Sequence, residues 1–371
     1  MTPLEREIRS IIAAEGPITV ERFMALALGH PRFGYYPTRD PLGAAGDFTT
    51  SPEISQMFGE LLGLWAAETW SLMGRPPRVA LVELGPGRGT LMADALRAAR
   101  AMPGFPDALA IHLVETSPAL RNAQERTLAR SGHPVAWHDR LETVPDGPAI
   151  IFANEFFDAL PVRQFVRAER GWHERLVGLA QDDALAFGLA PDPDARIRMP
   201  GNAGEVLEIN EPALAIVGQL AGRLSRDSGA ALVIDYGHLR TAPGDTLQAV
   251  RSHQFADPLA DPGEADLTAH VDFEALTRIC VQAGTRLHGP TTQGEFLRTL
   301  GIEARANQLK RRASPDQAVA IDAASRRLTD PAQMGTLFKV MAFSHPGLPS
   351  LPGLLPTPAG AQSGSELETT C

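Results

Sequence analysis

Cysteine is almost missing from this chain, which carries two among 371 residues, Cys280 and Cys371. Two thiols cannot build a cysteine zinc cluster. With one of them closing a Pro/Gly/Ser-rich tail, no structural disulfide is expected, which fits a reducing compartment. Excess basic charge is also lacking, the formal net charge being -10. A non-specific nucleic-acid binder needs a basic face to neutralise phosphates, so that class is excluded. No uninterrupted apolar run approaches the ~20 residues of a spanning helix, and no membrane insertion is expected. Residues 1–16 mix Glu5, Glu7 and Glu15 with Arg6 and Arg9, unlike a secretory signal or an acid-poor organelle presequence. A soluble, cytoplasmic protein is therefore expected. There is no internal repeat. His270 and Asp272 lie too close in one loop to suggest a metal site unaided, and no metal is expected.

What is present is a core: 44% of the residues are apolar. Two helix patterns, 3–14 and 19–28, precede a loop rich in glycine and aromatics at 34–50. Ser51 then reads as the N-cap of a helix, with Pro52 at its first position and Glu53 near the positive end of its dipole. Ile54, Phe58, Leu61, Leu62 and Trp65 recur at helical spacing. Strands (79–84, 111–114, 135–137, 149–153) then alternate with helices (91–101, 118–129). That order predicts an α/β fold with a parallel sheet covered on both faces. Residues 162–187 turn strand-like, as an inserted antiparallel segment with a loop exit at 190–201. A helix at 212–224, a buried strand at 230–234 and helices at 273–282 and from 293 follow. A last strand at 337–343 is expected antiparallel at the sheet edge, and everything past Ser344 is expected to be a flexible tail. The predicted organisation is a helical extension over 1–70, a catalytic domain over 71–345 with its insertion at about 162–210, and a tail over 346–371.

The run Glu83-Leu84-Gly85-Pro86-Gly87-Arg88-Gly89-Thr90 sits between a strand and a helix. Glycines there bring the backbone close to a ligand and permit positive φ. A dinucleotide fold wants its third glycine where Thr90 stands; here the third comes early, at Gly89. Glu115 ends the next strand, where a carboxylate can accept both ribose hydroxyls of an adenosine. This occurs in NAD and S-adenosylmethionine folds alike, so both cofactors remain open on these residues.

The motifs extend beyond that turn. Gly34-Tyr35-Tyr36, Gly46-Asp47-Phe48-Thr49-Thr50-Ser51-Pro52-Glu53, Asn154-Glu155-Phe156-Phe157-Asp158, Ile234-Asp235-Tyr236-Gly237 and Asp266-Leu267-Thr268-Ala269-His270-Val271-Asp272 occur in order. With these, residues 17–343 resemble the MidA family, whose mitochondrial members are complex I assembly methyltransferases. The resemblance implies a seven-strand, Rossmann-like methyltransferase fold and S-adenosyl-L-methionine as cofactor. It also implies a protein arginine substrate, with a respiratory complex I subunit as one candidate, while the absence of a presequence leaves a different substrate open. Cofactor contacts are expected from Gly46, Asp47, Thr49, Ser51, Glu83, Gly85, Gly87, Gly89, Glu115, Asp139 and Asn154.

Arginine methylation requires holding a planar, delocalised guanidinium in line with the methyl donor, which paired carboxylates do through bidentate bonds. Glu155, Asp158 and Asp235 are the candidates, with His270 as a receiver of the product proton. Phe156 and Phe157 are expected to be core residues first, and Asp272 a helix cap. The alternatives are a small-molecule methyltransferase, an NAD dehydrogenase, which Thr90 disfavours, and a non-catalytic assembly factor keeping the fold.

Overall fold

A computed structural model describes residues 1–38, 49–251 and 253–355. Its centre is a sheet whose main path has seven strands: β1 (Val79–Leu84), β2 (Leu109–Val114), β3 (Val135–His138), β4 (Ala149–Asn154), β5 (Gly229–His238), β6 (Arg286–Thr292) and β7 (Phe338–Ser344). Their order is β3-β2-β1-β4-β5-β7-β6. The first five are parallel, and β7 runs antiparallel to both its neighbours. The predicted last strand therefore exists but is not the edge. The edge is β6, whose Gly289-Pro290 interruption and bulge break the alternation that marks a strand.

The parallel strands read as continuous apolar runs because both faces are covered. Leu81, Ile150, Phe152 and Leu232 face a core shared with α3 (Gln56–Leu72) and α4 (Thr90–Ala99). Val82, Ile151, Ala231 and Val233 face α6 (Glu211–Asp227) and α7 (Phe273–Gln282). A third core joins the N-terminal helices α1 (Pro3–Glu15) and α2 (Val20–Gly29) to the inserted antiparallel strands. The strand Ile18–Thr19 pairs directly with Gly171–Leu179 of that insertion. The insertion is longer than its pattern indicates: Leu185–Pro193 stays paired through part of the expected loop, and Val206–Ile209 joins the same sheet.

Two other expectations change. Ser51 does not cap a long helix. Ser51–Ile54 is a separate turn, and Ser55, whose side chain accepts from the Met57 N–H, caps α3. Nor are residues 346–355 a loose tail. Leu348, Leu351 and Leu354 are buried, and the Pro352 carbonyl accepts from the Trp65 indole at 3.1 Å. Leucines at every third position supply the apolar area that the Pro/Gly composition conceals. Residues 356–371 lie outside the described part.

Helix α3 lies unusually close to α4. A Cβ on Gly63 would stand 2.4 Å from the Ala95 carbonyl oxygen, and one on Gly59 2.6 Å from the Asp94 Cβ. Gly63→Ala is expected to destabilise the fold by about 3 kcal/mol in denaturant titration, through overpacking against backbone. Leu64→Ala, on the exposed side of the same helix, should stay within about 0.5 kcal/mol. Equal stabilities for Gly63→Ala and wild type would contradict this packing. Among the described residues, no helix is long and apolar enough to cross a membrane.

Candidate active site

The pairing register brings the carboxyl ends of β1 and β4 level with the middle of the longer β5, with Leu84 opposite Ala153 and Asn154 opposite Ile234. Beyond that edge opens a cleft of about 800 Å³. In an open α/β sheet this is where a ligand binds, because strand order reverses there and the crevice is lined by backbone and loops.

The turn after β1 forms one wall. Gly85, Gly87 and Gly89 have φ of 60°, 52° and 81°, conformations that favour glycine. A Cβ on Gly85 would meet the Phe156 ring at 2.9 Å. Gly85 and Gly87 line the cleft; Gly89 instead backs onto Gln124 and starts α4. One β-strand over, Glu115 accepts from the Ser117 N–H at 2.7 Å and from the Gln124 amide at 3.2 Å. That amide also donates to the Gly87 carbonyl at 2.7 Å. Gln124, on α5 (Pro118–Leu128), thus ties the glycine turn to the acidic residue. A glutamine inside an amphipathic helix carries no sequence signal for that task.

Carboxyl groups dominate the opposite wall. Glu155 sits just past β4 in a left-handed conformation, φ 49°. Its Oε1 accepts from the Ser51 N–H at 2.8 Å and from the Asn154 amide at 3.2 Å. Burial pushes its pKa up to about 7, and that of Asp158 up to about 6, with the Tyr236 hydroxyl bonded to Asp158 opposing the rise. Burial alone lifts Glu83 to about 8. Glu83 Oε2, Asn154 Oδ1 and Asp158 Oδ1 are buried without any hydrogen-bond partner, and all three residues line the cleft.

Several expected site residues fall elsewhere. Asp235 is fully buried behind the Glu155–Asp158 loop. Its Oδ2 accepts from the N–H groups of Phe156, Phe157 and Asp158, and its Oδ1 from that of Tyr236. It shapes the loop and has no oxygen left for a substrate, which corrects its assignment as catalytic. Ser51 is also buried away from the cleft, with its hydroxyl 3.5 Å from Gln293 Oε1. Asp139 points into solvent, its side chain 78% exposed and paired with Arg121, because the chain turns outward after the short β3. Thr49 lines the cleft; Gly46 and Asp47 lie outside the described residues. Phe157 is core, as expected, whereas Phe156 is a wall of the cleft. His270 reaches the rim, its ring edge-on to Tyr236 at 5.5 Å. Burial first, then His238 and Lys339, lower its pKa, which favours the neutral ring. Asp272 caps α7, accepting from the Ala275 N–H.

Tyrosines are the larger omission from the sequence reading. Tyr36 donates to Asp266 Oδ1 at 2.9 Å, and Tyr236 is bonded to Asp158 and Thr268. All five line the cleft. Their motifs were visible, but nothing in a linear pattern distinguishes a tyrosine that packs from one whose hydroxyl meets a carboxylate brought in from another segment.

Comparison with known proteins decides between the nucleotide cofactors. Residues 61–291 match a family described as S-adenosyl-L-methionine-dependent methyltransferases. A Drosophila melanogaster protein, the mitochondrial protein arginine methyltransferase NDUFAF7 homolog, is 40% identical over 93% of this chain and 85% of its own. Human NDUFAF7, a mitochondrial protein arginine methyltransferase by name, is 37% identical over 92% of this chain and 83% of its own. The chain belongs to this methyltransferase family. A crystal structure from Burkholderia thailandensis, described as a methyl transferase bound to S-adenosyl-homocysteine, superposes with a TM-score of 0.83. It is 32% identical and covers 94% of each chain.

The methyltransferase uses S-adenosylmethionine, and the dehydrogenase alternative falls. The cleft suits that cofactor: its orphaned buried atoms are all acceptors on acidic or amide groups, which favour a ligand bringing N–H donors and positive charge. The expectation of a cytoplasmic protein is corrected, since relatives aligned over more than nine-tenths of the chain are named as mitochondrial. Composition has no power over that question because cytosolic and matrix proteins share the same solvent. Among the described residues, no group of three His, Cys, Asp or Glu is placed to hold a metal.

Proposed function

We propose that this methyltransferase modifies an arginine nitrogen of a protein, with Glu155 and Asp158 as the carboxylates that receive the guanidinium. One observation carries the reading: Asp158 lines the cleft beside Glu155, and its Oδ1 is buried without a hydrogen-bond partner. A guanidinium supplies five N–H donors in a plane and a charge that two neighbouring carboxylates neutralise. The names of the relatives agree with this substrate class. A respiratory complex I subunit is the finer proposal for the acceptor.

S-adenosylmethionine supplies an activated methyl on a cationic sulfur. Glu115 would accept the ribose hydroxyls, while Gly85 and Gly87 keep the backbone open beneath the cofactor, with Thr49, Glu83 and Asn154 around it. Glu155 and Asp158 hold the acceptor nitrogen in line and draw positive charge toward themselves. Phe156 excludes water at their side. After transfer, the acceptor nitrogen carries an extra proton, and Asp158 takes it. The N-terminal segment, residues 1–70, and the insertion at about 162–210 would wall a groove for a macromolecule around the catalytic domain, residues 71–345.

Incubating the protein with methyl-labelled cofactor and a lysate lacking it, then hydrolysing the labelled acceptor, tests this reading. Label recovered as methylarginine supports it. Label in a small molecule, in lysine, or nowhere rejects it. The rate should also depend on pH. Both carboxyls must be ionised to hold the guanidinium, and their pKa values are raised to about 7 and about 6. Activity should therefore climb as pH rises through 6 and 7, and be low at pH 5. Stability moves the other way. The folded state holds these protons above the ordinary carboxyl range, so these two groups favour folding less as pH rises from about 4.5 to 7. A flat rate between pH 5 and 8 would remove Glu155 and Asp158 from the acceptor site.

A further inference from the structure

The Thr90 hydroxyl, at the position where a dinucleotide fold would carry glycine, donates to Glu53 Oε1 at 2.5 Å. Thr90 is the first residue of α4, and the N-cap before it, Gly89, offers no side-chain bond. A carboxylate from a distant segment thus faces the positive end of that helix and holds its first hydroxyl. Glu53 belongs to the turn Ser51–Ile54, whose own N-cap, Thr50, makes no side-chain bond to it. The turn is therefore held from outside. Glu53 meets Thr90, the Ser51 N–H meets Glu155 at 2.8 Å, and the Ser51 hydroxyl lies 3.5 Å from Gln293. Glu155 in turn has a left-handed backbone, which a non-glycine residue keeps only where its surroundings impose it.

These contacts form one line: glycine turn, Thr90, Glu53, Ser51, Glu155. We propose that Thr90 and Glu53 are positioning residues, which transmit the state of the cofactor turn through the Ser51–Ile54 turn to the Glu155 carboxylate. Cofactor binding then completes the acceptor site before the acceptor enters. The inference rests on reading Glu155 as an acceptor-site carboxylate. It accounts for a threonine after the glycines: a glycine there would leave Glu53 without that partner and the Ser51–Ile54 turn without its hydrogen bond to the start of α4.

Hydrogen exchange of the full chain, with and without S-adenosylhomocysteine, tests the link without needing an acceptor. In wild type the ligand should slow exchange of the Ser51 amide about tenfold, the scale of a hydrogen bond to a charged group. Thr90→Val should bind the ligand within about threefold of wild type yet lose the slowing, and Thr90→Ser should restore it. Glu53→Ala breaks the same bond from its other end and decides the matter if Thr90→Val does not fold. Slowing retained in Thr90→Val or Glu53→Ala, or absent from wild type, overturns the link. Undiminished acceptor labelling by Glu155→Gln overturns instead the reading of Glu155, and with it the acceptor half of the inference, whatever the exchange shows.

Discussion

Glu155→Gln should lower methyl transfer about a thousandfold while leaving cofactor affinity within about threefold, the range expected when a charge that orients the acceptor is removed. The amide keeps an oxygen for the Ser51 N–H, which donates to Glu155 at 2.8 Å, so the loop should keep its shape. What disappears is the negative charge that draws the guanidinium into line. Asp158→Asn should behave alike, because its buried, unpartnered Oδ1 would then belong to a neutral group. The check is the labelled-acceptor assay at saturating cofactor, with calorimetry against S-adenosylhomocysteine in parallel. Activity within threefold of wild type in both variants would show that the carboxylates line the cleft without serving the acceptor. Loss of cofactor binding alongside activity would place them on the cofactor instead.

The second large effect belongs to the other wall. Glu115→Ala should weaken S-adenosylhomocysteine binding by about 3 kcal/mol, a factor of roughly 150, if its carboxylate holds both ribose hydroxyls through charge-assisted bonds. The change also strips acceptors from the Ser117 N–H and the Gln124 amide, which bond to Glu115 now. Glu115→Gln should fall between the two. Asp139→Ala serves as the contrast: it removes a carboxylate near the same edge of the sheet, but one facing solvent, and should leave affinity unchanged. Equal losses in Glu115→Ala and Asp139→Ala, or no loss in the first, would move the ribose elsewhere in the cleft.

Both variants remove acids that were visible in the linear chain, and their visibility has a common cause. Glu115 and Glu155 each directly follow a mainly apolar strand, β2 and β4. In a parallel sheet, strand ends define one edge, so position along the chain already implies position in space. Asp235 obeys the same rule and still misleads. It lies within β5, but the loop after β4 folds over it and its oxygens go to backbone N–H groups. A carboxylate that builds a loop and one that serves a substrate look identical until the neighbouring loop is placed.

Local chemistry thus determined the alternation of strands and helices, the glycine turn with its positive φ, and the acids at the strand ends, since each depends on residues within a few positions of one another. The residues 83–90 and 154–158 point to the cleft without help from distant parts of the chain. Only the tertiary structure decided which side chains meet across it. Tyr36 with Asp266, Gln124 with the Gly87 carbonyl, and Thr90 with Glu53 are separated by 230, 37 and 37 positions. The packing of whole helices against the sheet brings them together. No periodicity records those distances, because they follow from where each helix comes to rest, and that is fixed by burial summed over the entire core.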